Sequence, residues 1–206
     1  MSATQLLLVR HAEVEARYQR VFGGRIDMDL SPRGREQAVV LARYLQRRQL
    51  DGLYASPMRR VEQTLAPLLV NGVPRPVVLP ELREVDFGDW TGHTWDDIPG
   101  RFHASPYDWL HELDRGAIPG GESGAALRAR LEPCLGRVLR DRADQTLALY
   151  CHGGVIRCLL AILLDLPLAK MTHFEVDYAS LTHVEVNTEK AEVQLLNFAP
   201  WRELPA

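Results

Sequence analysis

The feature that most restricts how this chain can fold is a recurring pairing of a short apolar run with a longer segment of helical periodicity. Leu6 to Val9 (LLLV), residues 51–55 (DGLYA), residues 76–79 (PVVL) and residues 146–150 (TLALY) have the length and apolar character of buried strands. Between them, LSPRGREQAVVLARYLQRR places Ala38, Leu41, Ala42 and Leu45 at helical spacing, and SPMRRVEQTLAPLLV places Val61, Leu65 and Leu68 on one face. Ser31-Pro32 reads as an N-cap with proline at the first helical position, and Ser56-Pro57 repeats that opening. Farther on, SGAALRARLEPCLGRVLRDR carries a stripe of Leu127, Leu131, Cys134, Leu135 and Val138, with a kink expected at Pro133, and GGVIRCLLAILL forms another helix. SLTHVEVN and EVQLLNFA predict a closing pair of strands joined by a turn around Thr188 to Lys190.

Strands that alternate with helices predict an α/β fold, a mostly parallel central sheet covered on both faces. Residues 90–121, with Trp, His, Pro and Gly scattered through them, break the rhythm and read as an irregular excursion holding one or two short helices. No repeat, low-complexity tract or linker divides the 206 residues, so a single domain over 1–206 is expected. The charged residues nearly balance, 24 Lys and Arg against 27 Asp and Glu, which leaves no basic footprint for nucleic acid while permitting a small anionic substrate. Cys134, Cys151 and Cys158 form no CxxC and no even set, and read as buried thiols in a reducing compartment. The apolar stretch near the start is too short for a signal segment and nothing approaches membrane-spanning length, so the expectation is a cytoplasmic protein without a membrane partner.

Ligands of open α/β sheets bind at the carboxyl ends of the strands. There this sequence concentrates its chemistry: Arg10-His11 after the first strand, Arg59 and Arg60 after the second, Glu84 after the third, and His152-Gly153-Gly154 after TLALY. Taken singly, a histidine after a strand is more often a hydrogen-bonded structural residue, and an arginine in a first helical turn is usually solvated. Converging on one rim, two histidines, at least two guanidinium forks and helix amino termini suit a phosphoryl group. A serine-hydrolase reading of GGESGAA fails, because residue 125 is Ala and the serine follows a loop. Neither G-x-G-x-x-G nor G-x-x-x-x-G-K-[ST] occurs, which excludes dinucleotide and P-loop sites.

LLLVRHAE resembles the R-H-G motif of the histidine phosphatase superfamily, the phosphoglycerate mutase-like proteins. Five more segments match in the same order: FGGRIDMDLSPRGREQA its phosphate loop and helix, SPMRRVEQT its S-x-x-x-R-A-x-Q-T segment, LREVDFGDWTG its L-x-E-x-x-F-G-x-W-x-G block, PGGES its G-G-E-S helix start, and CHGGVIR its second H-G-G motif. The resemblance runs from Leu6 to about Arg157. It implies a three-layer α/β/α sandwich, with residues 90–121 as a wall over the site. His11 would be the nucleophile and form a phosphohistidine that water hydrolyses. Arg10, Arg60 and His152 would hold the phosphoryl oxygens, with Gly23, Gly24 and Gly153 also lining the substrate. Glu84 would protonate the leaving oxygen and then take a proton from water. The family pattern selects Arg60 over Arg59, which is left as a surface residue. No metal and no cofactor is implied, and His93, His103 and His111 have no metal-ligand spacing.

The sequence departs from the family at two positions. Ala12 replaces the glycine of R-H-G, which requires a backbone outside the glycine-only region. Arg17 falls where many members carry asparagine; it is expected either to add a guanidinium to the substrate site or to pair with Glu13 or Glu15 outside it. Trp95, Tyr107 and Trp109 either stack on the substrate or pack the excursion onto the sheet. The wall is short, which favours a phosphatase over a mutase, and α-ribazole 5'-phosphate is a candidate substrate from overall similarity. The alternatives are mutase-type phosphoryl transfer and a non-catalytic phosphate-binding protein. A small phosphorylated molecule is the expected partner, with the chain a monomer or homodimer.

Overall fold

In the computed structural model, which describes residues 3–69 and 73–203, the apolar runs become one six-stranded sheet. The strands are β1 (Thr4–Arg10), β2 (Gly52–Ala55), β3 (Val77–Val78), β4 (Thr146–Cys151), β5 (Leu181–Val186) and β6 (Ala191–Phe198), in spatial order β3-β2-β4-β1-β5-β6. β3, β2, β4 and β1 run parallel; β5 runs antiparallel to β1, and β6 antiparallel to β5. Leu6, Leu7, Leu8 and Val9 on the interior strand β1 are all 0% exposed. Burial on both faces explains the unbroken apolar run, and removing each such side chain from water contributes about 2 kcal/mol.

Alternation along β1 divides the core. Leu7 and Val9 face α1 (Pro32–Leu45) and α2 (Arg59–Leu65), whereas Leu6 and Leu8 face α5 (Gly124–Asp141) and α6 (Gly153–Leu163). The helix after β1 therefore covers one face and the helix after β4, its neighbour, covers the other. That reversal opens a crevice at the carboxyl edge between them. In register, Arg10 pairs with Cys151 and Ala55 with Tyr150, so the next residues, His11, His152 and Ser56, emerge side by side.

Several expectations change in detail. The second helix begins at Arg59 with Met58 as N-cap, so Ser56-Pro57 does not open it as Ser31-Pro32 opens α1. α2 then passes into a 3₁₀ turn, Ala66–Leu68, and the expected end at Val70 lies outside the described residues. The third strand shrinks to an exposed two-residue edge. α5 runs unbroken through Pro133, although that residue lacks the N–H that the Ala129 carbonyl would otherwise accept. Residues 90–121 hold two short helices, α3 (Ile98–Phe102) and α4 (Trp109–Asp114). A final short helix, α7 (Pro200–Glu203), follows β6 and was not anticipated. No described helix is long and apolar enough to cross a membrane.

Candidate active site

A cleft of about 220 Å³ opens at the β1/β4 edge, lined by Arg10, His11, Gly23, Gly24, Arg60, Glu84 and Gly153 among others. His11 Nδ1 lies 2.8 Å from the Ala12 carbonyl, which can only accept, so this nitrogen carries the proton and Nε2 keeps its lone pair. Arg60 donates Nε–H to that lone pair at 3.2 Å and also to Nδ1 of His152 at 3.2 Å. His152 therefore carries its proton on Nε2 and directs it at the Ser56 hydroxyl, 2.8 Å away. The serine that the sequence offers as a helix cap instead holds an imidazole.

Burial, then the charges of Arg60 and Arg10, pushes His11 well below the ordinary histidine value. His152 moves the same way through burial, then Arg60, His11 and Arg10. Both rings are neutral at neutral pH. Burial also draws Arg60 down to about 10, with Glu84 opposing and Arg10 reinforcing the shift; the guanidinium remains charged.

The arginines are fixed by backbone carbonyls. Arg60 donates to Gly24 O at 2.9 Å and Ile26 O at 2.8 Å. Gly24 turns with φ +47°, so the loop glycine presents its carbonyl to the arginine. Thr64, one turn along α2, accepts the Ala12 N–H at 2.9 Å and donates to Arg60 O at 2.6 Å, tying the loop after His11 to the arginine. Ala12 is buried and does not take a positive φ, so its methyl group is accommodated. Arg10 donates to Val176 O at 2.5 Å and lies over the Tyr178 ring at 4.1 Å.

Glu84 stands across the cleft, half-buried. Its carboxylate accepts the Val85 N–H at 3.0 Å and the Gly154 N–H at 3.3 Å. Arg130 braces this loop: it pairs with Glu122 at 2.6 Å and donates to the carbonyls of Glu81 and Glu84. Ser123 of the PGGES segment caps α5, accepting from Ala126 N at 3.1 Å.

Arg17 is where a correction is needed. It is two-thirds exposed, pairs with Glu15 at 2.9 Å and does not line the cleft. A neighbouring carboxylate at the right reach captured its long flexible stem. Arg59 likewise points outward, paired with Asp29 at 3.0 Å. Trp95 and Trp109 line the cleft while packing on Phe22 and Phe87; Tyr107 is exposed, edge-on to Trp95. Among the described residues no three His, Cys, Asp or Glu side chains are grouped to hold a metal.

Tyr178 and Arg157 are among the lining residues that the sequence did not single out. Tyr178 precedes β5, whose antiparallel direction brings its amino end to the rim where parallel strands bring their carboxyl ends. Arg157 sits one turn into α6, and its position in CHGGVIR was the available signal. Chemically, the cleft offers a neutral imidazole lone pair, charged guanidiniums and a carboxylate opposite them. This set can attack an anionic electrophile, stabilise its oxygens and exchange a proton.

Residues 6–199 match the model of the histidine phosphatase superfamily, branch 1. The chain is 30% identical over 193 residues to phosphoserine phosphatase 1 of Hydrogenobacter thermophilus, covering 94% of this chain and 92% of that one. It is 31% identical over 199 residues to the adenosylcobalamin/α-ribazole phosphatase of Escherichia coli, covering 94% and 95%. A solved mycobacterial glucosyl-3-phosphoglycerate phosphatase superposes with a TM-score of 0.86 at 28% identity, covering 95% and 99%. With the resemblance of its motifs borne out along nearly its whole length, this chain is a phosphatase that belongs to branch 1 of the histidine phosphatase superfamily.

Proposed function

We propose that this phosphatase hydrolyses a small phosphomonoester by passing the phosphoryl group through Nε2 of His11, without a metal. The observation that carries this is the hydrogen-bonding of His11: the proton is fixed on Nδ1 by the Ala12 carbonyl, and burial with the neighbouring arginines keeps Nε2 unprotonated, its lone pair held by the Arg60 N–H until substrate takes that donor over. That lone pair attacks phosphorus, the ester P–O bond breaks, and Glu84 gives its proton to the departing oxygen. In the second half, Glu84 takes a proton from water as the water oxygen attacks the phosphohistidine, which releases phosphate and restores His11. Arg10 and Arg60 balance the phosphoryl charge, and because their partners already hold them in place they need little reorganisation. His152, fully buried behind the cleft, reaches it through Arg60, whose Nε–H it accepts on Nδ1 at 3.2 Å, and would donate from Nδ1 once a bound phosphate dianion raises its proton affinity.

The finer identity of the substrate is drawn from chemistry and likeness. The relatives' names include α-ribazole, phosphoserine and glucosyl-3-phosphoglycerate phosphatases, all acting on small phosphorylated molecules. A cleft of about 220 Å³ is below the roughly 300–1,000 Å³ of sites for drug-sized ligands, which fits a compact ester. Three buried free thiols are in keeping with a cytoplasmic setting.

The test is phosphate release from p-nitrophenyl phosphate and a panel of phosphomonoesters in excess EDTA, with rapid acid or alkali quench of the reaction. Turnover in EDTA, an acid-labile and alkali-stable phosphoryl label on the protein, and loss of both in His11→Ala are expected. Turnover surviving in His11→Ala would overturn the mechanism.

A further inference from the structure

Arg157 has no evident structural task. Its Nε is buried without a hydrogen-bond partner, and its NH1 reaches only the Gly153 carbonyl, one turn back in its own helix, at 3.3 Å. Among the described residues it forms no ion pair within 4.0 Å. Glu84, Glu175 and Asp177 lie near enough to act on it electrostatically, but Glu175 is exposed and Asp177 is paired with Arg202 at 2.6 Å. Arg10 shares this condition, with its Nε also buried and unpartnered. Burial, reinforced by Arg10, draws Arg157 down to about 10, so it still carries its charge at neutral pH. A largely buried guanidinium whose Nε meets no acceptor and whose charge meets no carboxylate is unfavourable unless an anion reaches it.

Gly153 holds the space between the two arginines open. A Cβ there would lie 3.2 Å from Arg157 NH1 and 3.5 Å from Arg10 Nε, so any side chain would fill the gap they share. Arg60, by contrast, lies between His11 and His152. The cleft thus carries His11, Arg60 and Arg10 for a phosphoryl group, and a further cation, Arg157, across Gly153's open space from Arg10.

Counting charge identifies what fits. Arg10, Arg60 and Arg157 supply three positive charges, and a phosphate ester dianion balances two of them. When Glu84 carries the proton it is to deliver, it is neutral, and one guanidinium charge is left over. A single carboxylate on the substrate would balance it, and the planar fork of arginine matches a carboxylate in two-point geometry.

Building on the phosphomonoesterase reading, we propose that Arg157, with Arg10 beside it, forms a subsite for a carboxylate. The substrate class is then a small phosphomonoester bearing a carboxylate a few atoms from the ester oxygen, such as a phosphorylated hydroxy acid or amino acid.

Two matched pairs of esters isolate that group: O-phosphoserine against O-phosphoethanolamine, and 3-phosphoglycerate against glycerol 3-phosphate. In the intact enzyme kcat/KM should favour the carboxylated member by roughly 10- to 100-fold, the span expected for hydrogen bonds to a charged group. Arg157→Gln should bring both ratios to within about threefold of unity, with Arg157→Lys between. Ratios near unity in the intact enzyme, or a preference that survives Arg157→Gln, would overturn the subsite. Equal losses on both members of each pair would overturn it too, assigning Arg157 to the phosphate. Calorimetric binding of 2-amino-4-phosphonobutyrate against 3-aminopropylphosphonate reads the same preference without turnover. A preference there in a chain that hydrolyses nothing would sink the phosphatase mechanism and leave the subsite standing; hydrolysis without the preference would do the reverse.

Discussion

Arg60 donates its Nε–H to Nε2 of His11 across 3.2 Å, which aims a cation at the nitrogen that the proposed mechanism uses as nucleophile. The same contact opposes protonation of that nitrogen, because a second positive charge there would face the first without water to screen it. One geometric relationship thus keeps the imidazole unprotonated and beside the charge that an incoming phosphate needs, and in the proposed mechanism the phosphate takes over the Arg60 N–H as the lone pair is released.

The activity profile follows from that neutrality. In the proposed mechanism kcat/KM depends on His11 being unprotonated, and burial with Arg60 and Arg10 places its protonation well below 6.5. The acidic limb of the kcat/KM profile on p-nitrophenyl phosphate is therefore expected below pH 6.5, with no loss between 7.5 and 6.5 from this group. A limb centred above pH 7 would show that the ring is not held neutral.

Stability should fall on the acid side for the same reason. In the unfolded chain His11 and His152 take up protons near 6.5, whereas in the folded protein their lowered affinities keep them neutral. The unfolded state binds more protons below that pH, so stability is full above about 6.5 and declines as pH drops toward the folded values. Urea midpoints at pH 7.5 and 5.0 check this, and replacing both histidines with Gln should flatten the difference. An unchanged slope in that double variant would shift the acid sensitivity to other groups.

Gly154→Ala should damage catalysis through Glu84. A Cβ at residue 154 would lie 2.6 Å from Glu84 Oε1 and 2.7 Å from Val85 Cγ2, so the carboxylate must leave its place against the Gly154 N–H. A fall in kcat of about 10- to 100-fold is expected, in line with the loss of a positioned acid, alongside about 1–3 kcal/mol from overpacking. Steady-state kinetics on p-nitrophenyl phosphate and a denaturation curve separate the two, and near-intact kcat would mean that Glu84 is not held as described.

Arg17→Asn is expected to leave kcat and KM on the preferred ester within about twofold, since Arg17 is exposed and spends its charge on Glu15. The stability change should be within about 0.5 kcal/mol. A KM raised tenfold would return Arg17 to the substrate.

The sequence by itself determined the layers, the rim and most of the chemistry gathered there. A fully apolar run such as Leu6–Val9 can be stable only between two covered faces, and strands that alternate with helices have few ways to arrange themselves. Arg60 was separated from Arg59 by the family pattern that its segment resembles, and the structure then buries Arg60 with Val61, Thr64 and Leu65 on one face of α2. Tertiary structure alone decided which polar groups meet across sequence distance. Ser56 was drawn from capping a helix to holding His152, and Arg17 was captured by Glu15. Tyr178 reached the rim because β5 runs against its neighbour, and Arg157 came to the cleft with its Nε unpartnered because one turn of helix set it beside Arg10. Hydrophobic periodicity records how often a residue faces the core. The partner of a hydroxyl or guanidinium depends on distances of a few ångströms between elements far apart in the chain, and no local pattern encodes those.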